Sequence, residues 1–130
     1  MSFILDTDTC SAHMRRRPDL TSRFIQYGQL STTTVNAGEL FAWAYKQHDP
    51  RRMLHQIDLF LASMNIFPYD LDAANIFGEC RGKLLKKGIV VARVDLMIAA
   101  IALQHNFTLI THNTKDFENI PGLRLEDWLA

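Results

Sequence analysis

With 130 residues, of which 48% are hydrophobic and 22% charged, the chain can bury a genuine core and is neither disordered nor fibrous in composition. Lys plus Arg equals Asp plus Glu, 14 of each, so net charge supplies no non-specific pull toward nucleic acid or an anionic membrane. No stretch resembles a signal peptide or approaches the roughly 18 apolar residues of a membrane span. Cys10 and Cys80 form no CxxC pair and read as buried free thiols in a reducing cytoplasm.

In chain order, Phe3-Ile4-Leu5 reads as a buried parallel strand that stops at a turn, Asp6-Thr7-Asp8-Thr9. Residues 11–17 are expected to be helical as far as Pro18, and Asp19 or Thr21 is expected to cap a further helix ending at Tyr27. The β-branched run at 30–35 predicts a second strand. A helix over 36–47 follows, with Asn36 as its N-cap, Glu39 completing a capping box, and Leu40, Phe41, Trp43 and Ala44 on its apolar side. Pro50 opens another helix, to about Met64, in which Leu54, Ile57 and Leu61 share a face. Ile66-Phe67, beside Pro68, is a brief edge strand. Residues 71–87 are helical in pattern and end at Gly88. The least polar part of the chain comes next. Asp95 opens a helix with hardly a polar residue between Leu96 and Leu103, a strand follows at 107–111, and a polar turn delivers Asp116. A last strand is expected at 123–125, with Trp128 closing the core of a single domain.

Alternating strands and helices imply an α/β fold, a parallel sheet covered by helices on both faces. Ligands of such sheets gather beyond the carboxyl ends of the strands, and right-handed crossovers put those ends on one edge. That edge receives Asp6, Glu39, Asp95 and Asp116. Each alone has an ordinary explanation as a turn, cap or helix-dipole residue. Together they would repel one another unless a cation bridged them, and an all-oxygen set suits Mg²⁺ or Mn²⁺. Zinc is disfavoured, because neither His105 nor His112 belongs to a pair at ligand spacing. His112 is either a substrate contact or an exposed loop residue.

FILDTDT near the start, GEL at 38–40, VDLMIAAIA at 94–102 and LITHNTKDF at 109–117 together resemble the PIN domain, over essentially the whole chain. More narrowly, they look like the toxin nucleases of VapBC-type toxin–antitoxin pairs. The resemblance implies a three-layer α/β/α sandwich and a cytoplasmic endoribonuclease that cuts structured RNA such as tRNA. It implies that Asp6, Glu39, Asp95 and Asp116 hold the metal, with Thr111 and Asn113 shaping the last acidic turn. It also implies a homodimer neutralised by a cognate antitoxin. Two positions depart from the family pattern: Asp8 where Asn is common, and Arg93 where a small residue or Pro is frequent.

Basic residues suited to hold phosphates are Arg93 and Lys115, each within two residues of an acid of the quartet, and less directly Arg15-Arg16-Arg17 and Arg51-Arg52. Solvated helix faces explain such runs equally well. The strip around Trp43 suits either core packing or a partner groove. Two rival readings stand beside the nuclease. One is a PIN-like module that binds RNA or protein without cutting. The other is a haloacid-dehalogenase-type phosphatase with Asp6 as nucleophile and Asp8 as acid, although Cys10 departs from that motif.

Overall fold

The sheet is parallel throughout, with strands in the order β3-β2-β1-β4-β5. In this computed structural model, which describes residues 2–15 and 30–129, the strands are β1 (Phe3–Leu5), β2 (Ser31–Thr33), β3 (Asn65–Phe67), β4 (Thr108–Ile110) and β5 (Leu125–Glu126). The helices are α1 (Thr7–Met14), α2 (Thr34–Lys46), α3 (Arg51–Ala62), α4 (Leu71–Lys86) and α5 (Arg93–His105), and Thr114–Asp116 form a short 3₁₀ turn. The expected helix ending at Tyr27 lies outside the described residues, as do Arg16 and Arg17.

Strand alternation divides the core in two. Phe3, Leu5 and Ile110 face one way, into a cluster with Cys10 and Ala12 of α1, Leu40 and Ala44 of α2, and Ile57 and Phe60 of α3. Ile4 and Leu109 face the other way, onto Ala73 and Leu84 of α4 and Leu96, Ile98, Ala99, Ile101 and Ala102 of α5. The fold is therefore the expected three-layer α/β/α sandwich. The all-apolar helix is α5, and it is apolar because sheet and α4 cover it from both sides. It ends at Asn106, which takes a left-handed φ of 59°. The Arg124 guanidinium donates to the Asn106 carbonyl (2.7 Å) and side-chain oxygen (3.0 Å), so the chain turns straight into β4. Gly88, at φ +73°, follows α4 as the sequence predicts, because only glycine takes that conformation without strain. Trp128 is buried, its ring edge-on to Phe3 with centroids 5.2 Å apart.

Three boundaries differ from expectation. Helix α1 starts at Thr7, directly after β1, so Asp6-Thr7-Asp8-Thr9 is the start of a helix and not a free turn. Acidic and hydroxyl residues suit a first turn as well as a loop, because the exposed N–H groups there attract them. Helix α2 is capped by Thr33, whose hydroxyl accepts from the Asn36 N–H at 3.1 Å, so Asn36 is not the cap. The capping box of Asn36 with Glu39 is therefore absent, and Glu39 falls in the second turn. Strand β5 lies about two residues later than expected, because the turn at Pro121-Gly122 (φ +78° at Gly122) runs on to Arg124 before pairing begins.

Candidate active site

The chain lays β2 and β3 on one side of β1, then crosses to lay β4 and β5 on the other. Strand order thus reverses between β1 and β4, and the carboxyl ends of these two strands form the natural mouth of the sheet. Leu5 is in register with Ile110, so the next residues, Asp6 and Thr111, meet across that mouth. The Asp6 N–H donates to the Ile110 carbonyl (2.8 Å), and the Thr111 hydroxyl donates to Asp6 Oδ2 (2.8 Å). Asn36 donates from Nδ2 to Asp6 Oδ1 (3.1 Å) and to the Thr7 hydroxyl oxygen (3.0 Å). The Thr33 hydroxyl donates to Asn36 Oδ1 (2.6 Å) and so fixes which way the amide points.

Both oxygens of Asp6 are held, yet the group is buried at 6% exposure. Burial pushes its carboxyl up to about 6; the Thr111 hydrogen bond opposes this, while the charges of Asp8 and Asp95 add to it. Asp95, half-buried in the first turn of α5, is also pushed up to about 6, first by burial and then by the charges of Asp116, Glu39 and Asp8. Asp95 is therefore within electrostatic reach of Asp6, Glu39 and Asp116, each from a separate segment. Glu39 is exposed and accepts from the Thr7 hydroxyl at 2.5 Å. Asp116 is exposed on the 3₁₀ turn. Asp8 does something else. One of its oxygens accepts from the Thr9 N–H (2.7 Å), and the other from the His112 N–H (2.9 Å) and Asn113 Nδ2 (3.2 Å). It clips the loop after β4 onto the start of α1.

An open pocket of about 690 Å³ lies over these groups, lined by Asp6, Asp8, Glu39 and Asp95 together with Arg15, Trp43, His112 and Asn113, among others. Arg93 and Lys115 are exposed and do not line it; the basic side chain that does, among the described residues, is Arg15, at the end of α1. His112 is exposed, and its Nδ1 lies 3.1 Å from Asp127 Oδ2.

Among the described residues no three His, Cys, Asp or Glu side chains close into a cage around one ion. The donor set is all oxygen, and its carboxyls are pushed up first by burial and then by one another's charges, a cost that a divalent cation would relieve. The residues fit Mg²⁺ or Mn²⁺ on these grounds.

Asn36, expected as a helix cap, instead holds Asp6 and is the residue of this site that sequence reasoning missed. Its spacing from Glu39, three residues on one helix, was the available signal that both face the same site. Asn36→Ala would leave Asp6 Oδ1 buried without its donor. The expected cost is about 1–3 kcal/mol in urea unfolding. Wild-type stability of Asn36→Ala would mean that this hydrogen bond does not hold Asp6.

The PIN-domain pattern matches residues 3–123. The chain belongs to the PIN-domain family, among its VapC-type members. It is 33% identical to the tRNA(fMet)-specific endonuclease VapC of Salmonella typhimurium over 98% of each chain. Among solved structures, DNA-bound VapBC from Salmonella typhimurium superposes with a TM-score of 0.92 at 32% identity, covering 98% of both chains. VapBC-5 from Mycobacterium tuberculosis, described as a member of the VapBC family of toxin–antitoxin systems, gives 0.70 at 27% identity over 97% of this chain and 96% of that one. As a PIN domain, the chain is not a dehalogenase-type phosphatase: Asp8, the acid of that reading, has both oxygens committed to Thr9, His112 and Asn113.

Proposed function

We propose that this PIN domain is the metal-dependent endoribonuclease toxin of a type II toxin–antitoxin pair, cutting structured RNA such as tRNA. The observation that carries the reading is the pair of carboxyls, Asp6 and Asp95, both pushed up to about 6 in one open pocket that Glu39 shares and Asp116 influences. Perturbed acids crowded at the switch point of a parallel sheet have no structural purpose that an amide would not serve at lower cost. The VapC names of the similar proteins support the ribonuclease assignment.

Asp6, Glu39, Asp95 and Asp116 would hold Mg²⁺ or Mn²⁺, which when bound supplies charge stabilisation at the scissile phosphate and a more acidic water. Thr111 and Asn36 fix the Asp6 carboxylate so that both oxygens keep one orientation. Thr7 holds one oxygen of Glu39, leaving the other either to join the metal's ligands or to orient the attacking water and accept its proton. Water adds to phosphorus in line with the 3′ oxygen as the P–O3′ bond breaks, and the departing oxygen takes a proton from solvent, so the products carry 5′-phosphate and 3′-hydroxyl ends. No side chain serves as nucleophile. Asp8 and Asn113 keep the loop after β4, and with it the turn bearing Asp116, seated on α1.

Incubation with tRNA should give discrete fragments with those ends in Mg²⁺ or Mn²⁺. Undiminished cleavage in chelator, or products with cyclic phosphate ends, would overturn the scheme. Binding to a cognate antitoxin is supported by the toxin–antitoxin assembly named for the similar structure, and homodimer formation and residence in the cytoplasm belong to the same proposal. Among the described residues no helix is long and apolar enough to cross a membrane.

A further inference from the structure

The acidic pocket does not end at its carboxylates. Ser11, Arg15 and Trp43 line it and also line an adjoining hollow of about 400 Å³, whose further walls include Met53, Ile57 and Gln56. Trp43 is 42% exposed, whereas Trp128 is buried against Phe3. Arg15 lies about 10 Å along α1 from Asp8 at 1.5 Å per residue, and its guanidinium has no hydrogen-bond or ion-pair partner among the described residues.

We infer that this hollow receives one unstacked base of the RNA, its face on Trp43, with an adjacent phosphate gripped by Arg15. The inference rests on the ribonuclease reading and adds a binding subsite to it. A polyanion approaching several carboxylates needs a cation within the same cleft, and Arg15 is the one that lines it. RNA is read in sequence mainly where bases are splayed out, stacked on aromatic rings and hydrogen-bonded along their edges. The hollow offers what such a base requires: an exposed indole, apolar walls from Met53 and Ile57, and Gln56 and Ser11 for its edge. Continuity with the acidic pocket then places the base beside the bond to be cut. The choice of base would arise here and not at the metal site, where only the sugar–phosphate chain is handled.

The test uses the full chain and fluorescein-labelled single-stranded RNA heptamers, with EDTA present to keep the RNA intact. Trp43→Ala should bind about tenfold or more weakly, within the range of one lost base stack, and Trp43→Phe should recover most of the loss. Arg15→Gln should flatten the slope of log affinity against log salt by about 0.7, one phosphate contact on a single strand. An abasic nucleotide scanned along the heptamer should mimic Trp43→Ala at one position and add nothing in the Trp43→Ala background. Undetectable binding by wild type, or a folded Trp43→Ala with unchanged affinity and salt slope, would overturn the inference and leave the hollow to a peptide or to solvent. Trp43-dependent binding without any cleavage in Mg²⁺ would uphold the base site and sink the ribonuclease reading. Cleavage indifferent to Trp43 and Arg15 would do the reverse.

Discussion

Asp6→Asn is expected to slow RNA cleavage at least about a hundredfold while leaving the protein no less stable at neutral pH. The activity loss follows from withdrawing roughly 3 kcal/mol or more of charge stabilisation from the reaction. The stability result is less intuitive. Asp6 is buried, and its carboxyl is pushed from 3.8 to about 6, so keeping it ionised at pH 7.5 costs about 3 kcal/mol at most. Asparagine removes that cost and still accepts from Asn36 through its carbonyl oxygen. Its amide then faces Thr111, whose hydroxyl oxygen must turn from donor to acceptor while it continues to accept from the Asn113 N–H. The displaced hydroxyl hydrogen costs about 1–3 kcal/mol if it finds no new acceptor. The two effects leave Asp6→Asn between equal to wild type and about 2 kcal/mol more stable at pH 7.5. Any advantage should shrink toward pH 5, where wild-type Asp6 is itself mostly protonated. Urea unfolding of both proteins at the two pH values measures this, and cleavage assays run beside it. A marked destabilisation at pH 7.5 would mean that ionised Asp6 supports the fold.

Most of this arrangement was legible in the sequence, and its failures have a common physical origin. Period and composition identified α5 and β4 because burial on two sides leaves no room for polar residues, and that signal is strong. The acids stood out because they close apolar runs, where packing alone gives no reason for charge. Boundaries were harder. Thr33 and Asn36 are both good caps, and only the point at which β2 stops pairing decides between them. That one decision moved Asn36 from helix end to active site. Arg15 was legible only as one of a basic run that a solvated helix face explains equally well, and it lines the pocket because α1 starts at Thr7 and ends beside α2. The link of Asp8 with Asn113 spans 105 positions and has no local trace at all.

Without a metal ion, the protein should lose stability as pH rises from about 5 to 7.5, and Mg²⁺ or Mn²⁺ should restore it only at the upper end. Asp6 and Asp95 have folded-state values of about 6 against the ordinary 3.8, so between these limits the folded protein binds more protons than the unfolded chain. Stability then falls with rising pH across the window and is lost through about pH 6. Asp6 accounts for about 3 kcal/mol over the full span from below 3.8 to above 6, of which about 1.4 kcal/mol is lost between pH 5 and 7.5, and Asp95 for less, because water screens a half-exposed group. Asp49, Asp70 and Glu79 are shifted down by their partners, Arg51, Ala73 and Lys83, so their stabilising effect fades only in more acidic solution and does not disturb this window. His13 does oppose it: burial lowers its value, so it favours the fold more as pH rises toward neutrality. Subtracting the curve of Asp6→Asn from that of wild type cancels His13 and isolates the carboxylate. A divalent cation binds the ionised acids and therefore competes with protons, so its stabilisation should be large at pH 7.5 and nearly absent at pH 5. Thermal melts in EDTA and in Mg²⁺ or Mn²⁺ at both pH values measure it, with Asp95→Asn expected to lose most of the cation's effect. Equal stabilisation at pH 5 and 7.5, or in Asp95→Asn and wild type, would place the cation elsewhere on the protein.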